Sequence, residues 1–197
     1  MNKKIIGSGL VLSIAYILVV GLFVVTQTDI ALTMWEVITI VSAPVLLFVL
    51  LEMADTLQIQ PICRALFLVF MGCNCALTGL THIINITVTR RLIAQGVEVP
   101  TYFQIGYWPS TEMAIDYLAW GFFMGLAYLC IAWGIRGEGK QNKFYRVYLF
   151  VCGILCMIGF IGAVSINENL WYFAPLAYGV GMMLLCIKSL SDQPTVN

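Results

Sequence analysis

Charge is scarce in this sequence. Asp, Glu, Lys and Arg make up 10% of its 197 residues against 61% hydrophobic, whereas a soluble domain carries about 25% charged residues. With a mean hydropathy of +0.94, the chain has too little polar surface to face water all round, and it belongs in a bilayer. Ten basic residues balance ten acidic ones, and no Lys/Arg tract could neutralise a row of phosphates, which argues against nucleic acid as a partner. Histidine occurs once, as His82. Paired-histidine haem ligation within one chain is therefore excluded, and a zinc site would have to be rich in carboxylates. The seven cysteines (Cys63, Cys73, Cys75, Cys130, Cys152, Cys156, Cys186) lie in or beside apolar segments with no C-x-x-C among them, which speaks against a disulfide framework or a thioredoxin-like redox motif. Walker, G-x-S-x-G and dinucleotide motifs are missing too. Lys188, at the end of the last apolar run, is poorly placed for a retinal Schiff base. With no internal repeat in view, the inverted-repeat logic of many transporters gains no support. No cofactor is expected.

What the sequence has is long apolar runs. At about 20 apolar residues per crossing, spans are expected at about 5–25, 35–51, 62–88, 112–135, 144–165 and 170–190. The expected fold is an all-α polytopic membrane protein, a six-transmembrane-helix bundle read as one domain over 1–190, with a short, polar, disordered cytoplasmic tail at 191–197. The first run follows Met1-Asn2-Lys3-Lys4 as in a secretory signal, but it is too long for a signal h-region and no A-x-A site follows, so it is expected to stay as an anchor. Pro44 predicts a kink or tilt in the second span. Lys3, Lys4, Arg64, Arg136, Lys140, Lys143, Arg146 and Lys188 fall on one side of this topology and only Arg90 and Arg91 on the other. The positive-inside rule then places both termini in the cytoplasm of a cell whose cytoplasmic membrane holds the chain.

One stretch breaks the apolar pattern. Asn74, Thr78, Thr81, His82 and Asn85 fall within an arc of roughly 100° on a helix. A lipid-facing helix gains nothing from such a stripe, so it should face a bundle interior or a water-filled cavity. Arg64 falls on the same arc at the other end and is expected to snorkel to the interface, while Glu52, Asp55 and Arg64 read as solvated ends or a local ion pair. Glu36, just inside the second span, reads as interfacial. The fourth span opens with Trp108-Pro109-Ser110-Thr111-Glu112, in which Ser110 or Thr111 caps and Glu112 meets the positive end of the helix dipole. Glu112 and Asp116 share one face. Gly121 and Gly125 form G-x-x-x-G on the other, a seam for a second helix or for helix-mediated oligomerisation. Cys152, Cys156, Gly159 and Ala163 form a packing seam in the fifth span. Between the third and fourth spans lies the one long connection, with Tyr102, Phe103, Tyr107 and Trp108, which is either an interfacial aromatic belt or a lid.

The segments Thr81-His82-Ile83-Ile84-Asn85-Ile86-Thr87-Val88 and Ser110 to Leu129 (STEMAIDYLAWGFFMGLAYL) resemble uncharacterised small bacterial six-span integral membrane proteins. The resemblance implies a bacterial cytoplasmic-membrane protein and no particular activity. Size and span count are also similar to those of the substrate-binding subunits of vitamin transporters, without a shared motif.

Three functions fit this pattern. In the first, Asn74 and Thr78 floor an outward-facing pocket between spans 3 and 4, with His82, Asn85, Glu112 and Asp116 as its wall and the aromatic loop as its cover. It would bind a small polar ligand, ion or lipid headgroup in a sensor, transporter or transport subunit. In the second, His82 and Asp116 hydrogen-bond only to lock helices in a structural or assembly subunit. In the third, His82 or a carboxylate is general base or metal ligand in intramembrane hydrolysis, with His82, Glu112 and Asp116 as the weak metal candidates. Membrane lipids are expected partners in every case.

Overall fold

The protein is seen here as a computed structural model that describes residues 2–165 and 167–192; the tail expected beyond Asp192 lies outside the described residues. The fold is all-α, with no strand among the described residues. Six helices are long and apolar enough to cross a membrane: α1 Lys3–Thr26, α2 Asp29–Thr56, α3 Pro61–Ala94, α4 Thr111–Gly134, α5 Lys140–Val164 and α6 Asn169–Ser191. Length and composition together make this a multi-pass membrane bundle.

Most of the helices outrun the spans read from hydropathy, and the reason is polar pairing at their ends. Thr28 caps α2 by accepting from the Ala31 N–H, and Asp29 sits in the first turn, so the helix begins well before the apolar run. It runs through Pro44 to Thr56. Pro61 opens α3 at its first turn, and Arg64 pairs with Asp55 across the short α2–α3 connection at 2.7 Å, the local ion pair expected there. At its far end α3 carries Arg90 and Arg91 and continues to Ala94. Ser110 caps α4 by accepting from the Met113 N–H at 3.1 Å, as its position predicts.

Close helix approaches fix the bundle. A Cβ on Gly9 of α1 would stand 2.5 Å from Val49 Cγ2 of α2 and 3.3 Å from Cys186 Sγ of α6, which seats the otherwise lipid-exposed α1 in the groove between them. Gly121 and Gly125 do form a packing seam, but its partner is the chain's own α5. A Cβ on Gly121 would meet Phe160 Cβ at 2.7 Å, and one on Gly125 would meet the Gly153 carbonyl at 3.1 Å. The expected oligomer seam at these two glycines is thus taken up inside the chain. The α5 seam is also internal: Cys152, Cys156, Gly159 and Ala163 are all buried, with Gly159 against Ala174 and Cys152 against Gly181 of α6. Trp120, Tyr128, Phe67 and Met124 fill the core between these seams.

Three helices contain a π turn, at Asn85–Thr89 in α3, Leu118–Phe123 in α4 and Leu176–Gly181 in α6. Each inserts a wider turn and loosens the backbone ladder. Two of the backbone carbonyls in these turns are capped by side chains from neighbouring helices. Asn74 Nδ2 donates to the Ala119 carbonyl at 2.8 Å, and Tyr148 OH donates to the Gly181 carbonyl at 2.7 Å.

Candidate functional site

The polar stripe of α3 points inward. Asn74, Thr78, Thr81, His82 and Asn85 are all buried, because α2 and α4 pack on either side of that face. On the α2 side the contacts are well made. Glu36, which is 2% exposed, accepts a short hydrogen bond from Asn85 Nδ2 on one oxygen and one from Arg90 Nη1 at 3.2 Å on the other. Arg90 also donates to Thr33 Oγ1 at 2.6 Å and to the Asp29 carbonyl at 3.0 Å. Burial of Glu36 is tolerated because its charge is paired and both oxygens are hydrogen-bonded.

The α4 side is different. His82 Nε2 lies 3.5 Å from Asp116 Oδ1, and His82 Nδ1 lies 3.9 Å from Glu36 Oε1, distances at which charges attract but no hydrogen bond is formed. Glu112, one turn nearer the helix start, accepts from Thr89 Oγ1 at 3.1 Å with one oxygen. Its other oxygen makes no hydrogen bond among the described residues. The same holds for both His82 nitrogens, Asp116 Oδ1, Asn74 Oδ1, Thr78 Oγ1, Thr81 Oγ1 and the Trp120 indole N–H. Natural proteins leave few buried polar atoms unpaired, and here several of them lie along one seam between α3 and α4. Trp120 and the carbonyl of Ala119 both lie in the π turn of α4, so the seam coincides with the least regular stretch of that helix.

The expected outward-open pocket is closed in this structure. Asn74 and Thr78 are fully buried, and Asn85, His82 and Glu112 retain only a few per cent of their surface; Asp116 keeps 14% of its side chain exposed. Asn85, expected in the pocket wall, turns to Glu36 instead. Of the four aromatic cover candidates, Tyr102, Phe103 and Tyr107 are exposed, and the rings of Tyr102 and Phe103 meet at a tilt with centroids 4.7 Å apart. Trp108 is half-buried, its ring tilted against Tyr117 at 4.9 Å, and Tyr117 also meets Trp171 at 4.2 Å. Among the described residues no group of three or more His, Cys, Asp or Glu is arranged to hold a metal ion.

The pairing of Glu36 with Arg90 is what reading the sequence missed. Glu36, expected as a solvated group at the interface, is buried against other helices, with Arg90 as a counter-ion. The signal for this was a lone acid inside the second apolar run and a lone basic pair on the far side of the third. Counting formal charges across the site, Glu36, Glu112 and Asp116 supply three negative groups, whereas Arg90 and a protonated His82 supply at most two positive ones.

The fold and this seam define the class as a six-span integral membrane bundle with a buried acid–imidazole cluster. Compared with protein-family models, curated proteins and solved structures, the chain matches none.

Proposed function

We propose that the chain is a multi-pass protein of a bacterial cytoplasmic membrane that binds a small polar ligand or ion at the seam between α3 and α4. The carrying observation is the run of unpartnered buried atoms from Asn74 and Thr78 through His82 to Asp116 and Glu112. Acceptors prevail along it: the imidazole and the hydroxyls can donate or accept, while the carboxylate oxygens and Asn74 Oδ1 accept. Such a lining suits a guest that offers donors, and the excess of carboxylates favours a cationic one. A ligand would enter from the end that carries Glu112, Arg90 and the aromatic connection, the end nearer Asp116, the most exposed side chain of the cluster.

The orientation that goes with this reading puts both termini in the cytoplasm. Lys3, Lys4, Arg64, Arg136, Lys140, Lys143, Arg146 and Lys188 share the end that bears the termini. Only Arg90 and Arg91 lie at the opposite end, the asymmetry that the positive-inside rule reads.

A specific observation favours helix locking for part of the cluster. The Glu36, Asn85 and Arg90 contacts are fully made, so these residues fasten α2 to α3. His82 and Asp116 are not fastened in that way. Native mass spectrometry of protein released from mild detergent tests the ligand reading. A stoichiometric non-protein mass on the wild type that is missing from His82→Ala supports it. Two equally bare spectra, with His82→Ala unfolding at a much lower temperature, would move His82 to the locking role.

A further inference from the structure

At the end of the bundle that carries the termini, remote from His82, a groove of about 350 Å³ runs between the end of α4 and the early turns of α5, lined by Ala132, Trp133, Arg146, Val147 and Phe150. Trp133 is 79% exposed, and Val147 and Phe150 are half exposed, so the groove opens outward from the bundle to the surrounding lipid. Lys143, Arg146, Val147 and Phe150 recur at i, i+3, i+4 and i+7 and so share one face of α5.

Arg146 is held at this groove in an unusual way. Its Nη2 donates to the carbonyls of Ile135 and Gly137 at 2.9 and 3.1 Å, just beyond the last turn of α4, where helix carbonyls lack intrahelical partners. Among the described residues no carboxylate lies within ion-pair distance of it. Its Nε and Nη1 make no hydrogen bond there, which leaves an edge of the guanidinium for a doubly charged or bidentate oxygen acceptor. The surrounding segment 136–146 holds Arg136, Lys140, Lys143 and Arg146 against the single acid Glu138, and Arg136, Lys140 and Lys143 are exposed.

We propose that this groove binds an anionic phospholipid, with the phosphate on Arg146 and an acyl chain along Trp133, Val147 and Phe150. A pinned guanidinium at headgroup depth, further basic side chains around it and an apolar trough leading away match the two ends of such a lipid, and basic pockets between spans take anionic headgroups in this way. A zwitterionic lipid fills the trough equally well and lacks the net charge. The inference is independent of what His82 holds.

The test is native mass spectrometry of the full chain titrated with phosphatidylglycerol or with phosphatidylcholine. The wild type should retain one phosphatidylglycerol in preference to phosphatidylcholine. Arg146→Gln should weaken that retention about fivefold, the factor corresponding to ~1 kcal/mol for one basic residue at an anionic surface. Because Arg146 also caps α4, a second variant is needed: Val147→Trp fills the groove from a half-exposed position, leaves the Arg146 contacts in place, and should also lose the lipid. Arg91→Gln, exposed at the opposite end, should behave as wild type. Equal retention of both lipids by the wild type overturns the proposal. So does undiminished retention in Val147→Trp, or an equal loss in Arg91→Gln, which would reduce the effect to overall charge.

Discussion

His82 stands between two carboxylates on two different helices, with Asp116 of α4 at 3.5 Å from Nε2 and Glu36 of α2 at 3.9 Å from Nδ1. The two neighbours are not equivalent. Glu36 already has Arg90 and Asn85, whereas the Asp116 oxygen facing His82 has no hydrogen-bond partner among the described residues. The imidazole therefore links a finished ion-pair network to an unfinished polar seam, and substitutions on the two sides should behave in opposite ways.

Thr78→Val tests the unfinished side. The Thr78 hydroxyl is buried and unpartnered, and replacing it with a methyl of the same shape removes a desolvated polar group without opening a cavity. Thermal unfolding should be unchanged or rise slightly, while any ligand held at the seam is lost. A clear drop in unfolding temperature would mean that Thr78 has a partner inside the fold.

Asn74→Leu should lower stability where Thr78→Val does not. Its amide caps the Ala119 carbonyl in the π turn of α4, so the substitution leaves that carbonyl unpaired, at a cost of about 0.6 to 1.7 kcal/mol by the scale of interhelical hydrogen bonds in membranes. Unfolding in mixed micelles measures it. The contrast with Thr78→Val matters more than either value, because the two residues lie one turn apart on the same face.

Glu36→Gln removes the buried counter-ion of Arg90 and leaves it only the exposed Asp29 carboxylate at 3.7 Å, which should cost about 1–3 kcal/mol, below the full penalty of a stranded buried charge. A double-mutant cycle with Arg90→Met separates that penalty from the worth of the pair. If the fastening reading is right, the double variant is less destabilised than Glu36→Gln alone. Simple additivity would show that the two side chains do not depend on each other.

Gly121→Val places a side chain where Phe160 Cβ and Cα already lie 2.7 and 3.1 Å from the position of its Cβ. Overpacking of this kind costs about 1–3 kcal/mol. Because the seam is internal, light scattering should show an unchanged oligomeric state alongside the lower stability. A shift of oligomeric state without loss of stability would return the glycines to an intermolecular role.

The pH response at the other end of the bundle has a defined sign. Lys188, together with hydrogen bonds from Tyr145 and Gln141, holds the Asp192 carboxyl below its ordinary value. A depressed folded value means that the contact stabilises fully above the unfolded value, near pH 4, and is lost as pH falls through the folded one. Acid should thus loosen the end of α6 from α5 below about pH 4, by about half a kcal/mol at this partly solvated position. Asp192→Asn should remove that pH dependence, as measured by hydrogen exchange at residues 188–192.

The six crossings were legible because apolar runs of membrane length have few other uses, and the inward face of α3 was legible from the arc shared by Asn74, Thr78, Thr81, His82 and Asn85. The limits of the helices were not. Glu36 and Arg90 lie 54 residues apart at the same end of two consecutive helices, and each looks like a span end until the other is seen to pair with it. The π turns at Asn85–Thr89, Leu118–Phe123 and Leu176–Gly181 leave no mark in hydropathy, since they depend on which neighbouring side chain caps the loosened carbonyl. Gly121 and Gly125 announced a close approach but not its partner, because G-x-x-x-G reads the same whether the second helix belongs to the chain or to a copy.

The single histidine makes the central claim directly measurable. Protein labelled with ¹⁵N-histidine and reconstituted in vesicles gives ring-nitrogen signals from His82 alone. A site that admits polar guests from one side predicts that these signals respond within seconds to a pH step applied on the side of the aromatic connection, and not to the same step on the side of the termini. Signals that stay fixed for hours to steps on either side, in fully folded protein, would contradict it and leave His82 as a sealed contact between α3 and α4.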